Sequence, residues 1–410
     1  MKESLRITTV LYFLVISAAQ AQAGSPAGPV PVARLEARRA ALFNRLGDGV
    51  AVIRAARVRS IEGDYPQDSD YRENNNFFYL TGLEAPGACL VLVARKDRPD
   101  QAVLYLPARD TTTEKWTGPK LGPGAELTRL TGITEVRPAD RTETDVRSLG
   151  RAVGAKQLEA EIARLRLVKD PDELARLRRA IAITGNALRE AMRVASPGMW
   201  EYELEALIEY SFRRHGAERV GFPSIIASGP NAVTLHYDKN RRQTQPDELV
   251  IQDVGAEFGY YSADITRTIP ISGRFTPRQR ALYELVLGTQ QMAIDAVRPG
   301  TDLVVLNRIA RTYMRDHSGN LCGPASCVQY FSHGLSHWLG MDVHDAGSYG
   351  TRLQPGMVLT VEPGIYIPAE KIGIRIEDDV LVTQDSYEVL SRDVPRTASD
   401  IEQIMQRRVP

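Results

Sequence analysis

His333-Gly-Leu-Ser-His337-Trp-Leu-Gly-Met-Asp-Val-His344 gathers three of the chain's six histidines within twelve residues. Glycines break the segment, which then alternates in the manner of a strand. A hydrophobic core has no use for such clustering. A lone histidine is commonly a satisfied structural residue. A cluster becomes a metal site only where carboxylates elsewhere converge on it, because a divalent ion needs several donors and a water-accessible position.

The carboxylates are present. Asp253 lies in Val250-Ile-Gln-Asp253-Val-Gly255 and Asp264 in Tyr261-Ser-Ala-Asp264-Ile-Thr-Arg267. Gly255 and Gly259 permit a turn, so a hairpin is expected to set the two aspartates opposite one another. Side chains alternate along a strand, so Ile251 and Asp253 share a face, as do Asp264 and Thr266. Glu362 in Leu359-Thr-Val-Glu362-Pro-Gly364 and Glu377 in Ile374-Arg-Ile-Glu377-Asp-Asp379 repeat the pattern, with Arg375 and Glu377 on one side. Any one of them could be an edge-strand carboxylate facing solvent. All four beside a histidine cluster call for cations, since burying an unpaired charge costs on the order of several kcal/mol. One ion balances so many negative oxygens poorly; two divalent ions roughly 3.5–4 Å apart do so well. Oxygen-rich, thiolate-free ligation favours two Mn²⁺, with Co²⁺, Zn²⁺ and Fe²⁺ left open.

The N-terminus reads as an export signal at 1–23. Lys2 and Arg6 precede a short apolar run from Val10 to Ala19, and Ala21-Gln22-Ala23 closes it. The run is too short to span a bilayer, and nothing later is apolar for long enough. An exported, periplasmic or secreted protein is expected, with no membrane association after signal removal. Lys plus Arg and Asp plus Glu both number 51, so no net field draws nucleic acid. Cys89, in Ala88-Cys-Leu-Val-Leu-Val93, reads as a small buried side chain. Cys322 and Cys327 flank Gly323-Pro-Ala-Ser326 and could close a disulfide ahead of His333; the distance between their Cα atoms decides.

The length implies two domains. A charged helix at Ala33–Leu46 and strand-like runs at Gly49–Arg54, Phe77–Leu83, Ala88–Ala94 and Ala102–Leu106 suggest a small α/β domain over 24–158. Polar loops are expected at Tyr65–Asn76 and Thr111–Glu126. Trp116, in the second, is either a contact for a partner or substrate or simple packing. A bridge at Glu159–Leu167 leads to a second domain, 159–410. Asp170-Pro171 opens a helix to Val194, and another follows from Trp200 to His215. Strands are expected at Ser224–Ala227, Leu249–Ala256 and Tyr260–Ile269. A capping box at Thr276–Gln279 starts a helix to Val297. Two more strands, Met357–Ile367 and Gly373–Thr383, and a helix from Ser399 to Arg407 finish the chain. Met192-Arg-Val-Ala-Ser-Pro197-Gly198 and Ile294-Asp-Ala-Val-Arg-Pro299-Gly300 stand 102 positions apart, each leading into a helix. Either two halves repeat, with the site where their sheets meet, or two helix pairs resemble one another by chance.

Together these motifs resemble the full set of the pita-bread metallopeptidases, and within that group the X-Pro aminopeptidases (aminopeptidase P). The likeness extends to Phe77-Phe-Tyr-Leu-Thr-Gly82 and Glu114-Lys-Trp116-Thr-Gly118. It implies an α/β (α+β) chain: a C-terminal domain with a pseudo-two-fold antiparallel sheet flanked by helices, behind a smaller α/β domain. It implies that Asp253 holds one metal, that Asp264 and Glu377 bridge both, and that His337 and Glu362 complete the other. His236, His344 and Tyr366 would face substrate, His333 would assist beside the metals, and Arg375 would link the metal shell to the cleft. Trp116 would reach a neighbouring subunit's cleft, in a homo-oligomer (dimer or tetramer). The expected reaction is hydrolysis of the N-terminal X-Pro bond of peptides by a hydroxide bridging two divalent metals. His344 would stabilise the oxyanion, and Glu362 would relay a proton to the departing nitrogen. Gln252, Ser262 and the Cys322/Cys327 pair depart from the family pattern. An X-Pro dipeptidase (prolidase) is the nearest rival and usually has glycine where Ser336 stands. Methionine aminopeptidases generally lack such an N-terminal domain. A non-catalytic peptide-binding module on the same fold is the alternative from another class.

Overall fold

The computed structural model describes residues 26–58 and 71–407. The expected export signal and the first part of the polar loop at 65–76 lie outside them. The chain divides into two compact units between Ala152 and Val153, with Asn44–Leu46 grouped with the second.

The first unit begins with α1 (Val32–Leu46) and β1 (Gly49–Arg54). It continues through α2 (Asn75–Thr81), β2 (Cys89–Ala94), β3 (Gln101–Leu106), α3 (Glu114–Thr117), α4 (Ala125–Thr131), β4 (Glu135–Pro138) and α5 (Thr142–Leu149). The sheet runs β1-β2-β3-β4, antiparallel except for β3 and β4. A parallel pair needs a crossover, and α3, inside the expected loop at 111–126, and α4, which begins at its end, supply it. Val50, Cys89, Val91, Val93, Val103 and Tyr105 form its core. The strand expected at Phe77–Leu83 is instead α2. The Asn74 side chain accepts from the Asn76 and Phe77 N–H groups, and Gly82 closes the helix in the left-handed region at φ 67°. A short apolar run buried on every side carries no periodicity to separate helix from strand, so the caps decide.

The second unit opens with α6 (Ala155–Leu167), where only a bridge was expected, then α7 (Pro171–Val194) and α8 (Glu201–Arg214). Asp170 caps α7 in a reciprocal capping box with Glu173. There follow β5 (Arg219–Val220), β6 (Ile225–Ser228), β7 (Leu249–Val254), β8 (Ala256–Phe258), β9 (Tyr261–Ser262) and β10 (Ile265–Pro270). Next come α9 (Pro277–Asp295), α10 (Leu303–His317), β11 (Val358–Val361), β12 (Gly364–Ile367), β13 (Ile372–Arg375), β14 (Asp378–Val382), β15 (Tyr387–Val389) and α11 (Ala398–Gln406). The 102-residue repeat survives as architecture. α7 and α8 turn through Pro197-Gly198 and α9 and α10 through Pro299-Gly300, with Gly198 and Gly300 at φ 91° and 90°. Each helix pair precedes a three-stranded antiparallel sheet, β10-β7-β6 in one half and β11-β14-β15 in the other.

Candidate metal centre

Two hairpins carry the carboxylates. β8 and β9 turn through Gly259 and Tyr260, both at positive φ (57° and 72°), a two-residue geometry that follows the strands' twist. Gly255 lies so close to the neighbouring chain that a Cβ there would sit 1.9 Å from the Ala263 carbonyl oxygen. The partners run without a slip from Phe258↔Tyr261 and Glu257↔Ser262 to Val254↔Ile265, so the two-residue turn sets a register other than the one expected. Thr266, not Asp264, lies opposite Asp253, and Asp264 follows two residues away on the same face. Both aspartates therefore still project together.

Glu362 and Glu377 occupy matching breaks in the second hairpin, where β11 pairs with β14 and β12 with β13. Here the two halves meet: the Glu377 N–H donates to the Thr266 carbonyl at 3.1 Å. The histidine segment forms no full strand but runs alongside β11. The Thr360 and Glu362 N–H groups donate to the His337 and Leu335 carbonyls, and Leu339 N–H donates to Val358. His337 Nδ1 lies 3.1 Å from the Trp338 carbonyl, which fixes the proton there. That leaves Nε2 as a lone pair facing Asp264 Oδ2 at 3.3 Å and Glu362 Oε1 at 3.4 Å.

Donor atoms of Asp264, His337 and Glu377 all fall within 4.8 Å of one another. Asp253 joins them through Arg375, whose Nη2 donates to Asp253 Oδ2 at 2.5 Å. The same guanidinium donates from Nη1 to the Tyr366 hydroxyl (2.8 Å) and from Nε to Thr266 Oγ1 (3.1 Å). Thr266 in turn donates to Glu377 Oε2 at 2.6 Å. The shared strand face of Asp264 and Thr266 was legible, but nothing in the sequence marked Thr266 as the link between Arg375 and Glu377.

Asp253, Asp264, His337, Glu362, Arg375 and Glu377 line a cleft of about 540 Å³ with His236, His333, His344, Phe222, Leu235 and Tyr349; Thr266 and Tyr366 are buried beside it. His236 and His344 are exposed to it, their rings 6.5 Å apart, and the His344 ring lies 4.1 Å from that of His337. His333 Nε2 bonds the Tyr366 hydroxyl at 2.8 Å and Nδ1 the Gly334 carbonyl at 2.7 Å. Desolvation pushes His333 and His344 down to about 4, aided by Arg375 beside the first and by His337 and His236 beside the second, so both are neutral at pH 7. Trp116 lies in the first unit, 70% exposed, and is not among the residues lining this cleft. Cys322 and Cys327 are joined by a disulfide, their Cα atoms 5.0 Å apart, and Cys89 is buried and free.

The donor set fits divalent ions. Burial, then mutual carboxylate repulsion, raises Asp264 and Glu377 well above the usual carboxylate range. Glu362 is pushed up to about 7, burial again being the largest cause. Asp253 Oδ1 and Glu377 Oε1 are buried without a hydrogen-bond partner. Among the described residues lining the cleft, five carboxylates, Asp238 with these four, stand against one cation, Arg375. Such a cluster lacks positive charge, and its orphaned oxygens point to where that charge belongs.

The sequence matches the profile of metallopeptidase family M24 over residues 175–384 and that of the aminopeptidase P N-terminal domain over 35–156. It is 35% identical to Xaa-Pro aminopeptidase of Escherichia coli K12, across 90% of this chain and 96% of that one. Human Xaa-Pro aminopeptidase 3 is 36% identical, over 82% of this chain and 76% of the relative. The solved structure of zinc-substituted E. coli aminopeptidase P in complex with product superposes with a TM-score of 0.85 at 33% identity, covering 93% of this chain and all (100%) of that one. With fold, centre and relatives in agreement, the chain belongs to metallopeptidase family M24, with an aminopeptidase P N-terminal domain ahead of its peptidase domain.

Proposed function

We propose that this metallo-aminopeptidase removes the first residue from peptides with proline in second position, using two Mn²⁺ held by Asp253, Asp264, His337, Glu362 and Glu377. The observation that carries the reading is the convergence of Asp264, His337 and Glu377 within 4.8 Å in an open cleft. The names of the relatives support the X-Pro substrate. The choice of Mn²⁺ rests on four oxygen donors, one imidazole and no thiolate. Divalent ions there supply an acidified water and a positive pole for the scissile carbonyl. His344, neutral and exposed to the cleft, donates to the oxygen on which charge develops. Glu362 Oε2, 3.7 Å from His333 Nδ1, holds the proton and returns it to the proline nitrogen as that bond breaks. His236 borders the bound peptide, while Tyr366, expected there too, is buried and acts through the bonds of its hydroxyl to His333 and Arg375. Proline's tertiary amide has no N–H to donate, so a cleft selecting it by ring shape excludes little else of value to catalysis.

A dipeptidase must hold its substrate's free carboxylate. Among the described residues lining this cleft the one guanidinium is Arg375, with Nε, Nη1 and Nη2 all engaged. That favours longer peptides over X-Pro dipeptides. The disulfide suits an oxidising compartment, which together with the sequence of residues 1–23 supports an exported enzyme. No described helix is long and apolar enough to cross a membrane. The exposed Trp116 supports a homo-oligomer in which that side chain completes a neighbour's cleft. The test is Mn²⁺-dependent cleavage of an X-Pro tripeptide against its X-Ala counterpart, before and after chelation, for the native chain and Asp264→Ala. Turnover confined to dipeptides, or unaffected by chelation, refutes the proposal.

A further inference from the structure

Glu201, the first residue of α8, is fully buried and takes hydrogen bonds from five groups, all on one segment. Ser228 N–H (2.8 Å), Ser228 Oγ (2.7 Å) and Asn231 Nδ2 (3.0 Å) reach Oε1. Tyr237 Oη and Arg242 N–H, each at 2.9 Å, reach Oε2. The segment between β6 and β7 has no strand of its own, only a 3-10 turn at Gly229–Val233. A second fastening is Asn240, which accepts from Ile226 N–H and donates to the Ser224 carbonyl, and at the segment's end Arg242 also donates to Ser228 Oγ and to Glu248. Between the two fastenings lie Leu235, His236 and Asp238, which line the cleft, while Tyr237 turns inward to Glu201.

We propose that Glu201 is the positioning residue for His236: its carboxylate gathers the 228–242 segment so that seating Tyr237 on one side of the chain presents His236 on the other. Only a charged carboxylate offers acceptor sites for so many donors at once; an amide of the same size would aim its own N–H groups at them. The metal-binding side chains sit on other segments, so Glu201 acts on substrate and not on the ions. The inference rests on the substrate-side role given to His236 above.

The test is a cycle of Glu201→Gln, His236→Ala and the double variant, with Mn²⁺ affinity measured by calorimetry. Glu201→Gln is expected to lower kcat/KM for an X-Pro tripeptide about 100-fold, the cost of misplacing a contact by about 1 Å, with metal affinity unchanged. In the His236→Ala background it should cost less than about threefold further. Multiplying losses, or weakened metal binding in Glu201→Gln, overturn the positioning role. Undiminished kcat/KM in His236→Ala overturns the role of His236 itself, a separate result. Should Glu201→Gln fail to fold, Tyr237→Phe carries the test, because it removes one donor and leaves Glu201 the others. A loss of about tenfold that vanishes in the His236→Ala background supports the proposal; no loss overturns it.

Discussion

Stripping the metals should make the protein less stable as pH rises above neutrality, contrary to the usual behaviour of carboxylates. An acid that keeps its proton when folded and loses it when unfolded lowers stability by about 1.4 kcal/mol per pH unit. Glu362, raised from 4.5 to about 7, contributes stability that is full below pH 4.5 and gone above 7, on the order of 3 kcal/mol in all. Asp264 and Glu377, raised well above the usual range, carry the same sign to higher pH. His333 and His344 act oppositely: with folded values of about 4 against 6.5, their contribution is present above pH 6.5 and lost as pH falls toward 4. Below pH 6.5 the two sets therefore oppose one another. Above it the histidines are neutral in both states and the carboxylates act alone. From pH 6.5 to 8 Glu362 alone should cost the chelated protein about 1 kcal/mol, a fall in Tm of about 2 °C, and Asp264 and Glu377 add to the fall with the same sign. Saturating Mn²⁺ should abolish the slope, because the ions stabilise the charged carboxylates. Scanning calorimetry of chelated and Mn²⁺-loaded protein across this range reads it directly. A chelated protein whose Tm is flat or rises with pH refutes the view that Asp264, Glu362 and Glu377 are held together against their own repulsion.

Thr266→Val removes the hydroxyl between Arg375 Nε and Glu377 Oε2 and should weaken metal affinity roughly 10–100-fold, read by competition with a metal indicator. Lys169→Met leaves Asp345, whose pair with Lys169 is almost wholly buried, with Arg166 alone; it should cost about 3–5 kcal/mol in a denaturant titration. Replacing Cys322 and Cys327 by serine opens a loop of sequence separation 5 and should cost about 2 kcal/mol by chain entropy, an effect that reductant reproduces only in the native chain.

The chemistry of the site was easier to read than its register. Aspartate or glutamate within a run of Val and Ile is conspicuous because burial penalises charge, so Asp253, Asp264, Glu362 and Glu377 announced themselves singly. The same reasoning gave no access to pairing. The offset that sets Thr266 rather than Asp264 opposite Asp253 comes from the two-residue turn at Gly259-Tyr260; Gly259 was visible, but Tyr260, a bulky residue at φ 72°, gave no sign that it belonged to the turn. Likewise α2 was hidden because Asn75–Thr81 is buried all round and shows neither helical nor strand period. Glu201 sits in the first turn of α8, where an acidic residue is expected on local grounds alone; only the returning segment reveals what it does.

The repeat explains why the centre needs the entire second unit. Asp253 and Asp264 come from the first half; His337, Glu362 and Glu377 from the second. At the centre each half also sends an arginine into the other. Arg375 reaches from the second half to Asp253, and Arg267 from the first reaches Asp378 at 2.7 Å and the Glu377 carbonyl at 2.6 Å. The Arg267–Asp378 pair is fully buried, so removing Asp378 strips Arg267 of its carboxylate and removing Arg267 leaves Asp378 to the longer contact with Arg396 at 3.5 Å, beneath the candidate metal ligands. The two arginines do different things. Arg375 lies in the cleft and offsets part of the ligands' charge, whereas Arg267 lies behind the sheet and holds the backbone of Glu377 in register. Substituting Arg267 should therefore disturb folding and metal binding together, and substituting Arg375 should act chiefly on the cleft. A site split this way forms only after both halves have docked, so metal affinity reports on the docking of the repeat as directly as on the ligands themselves.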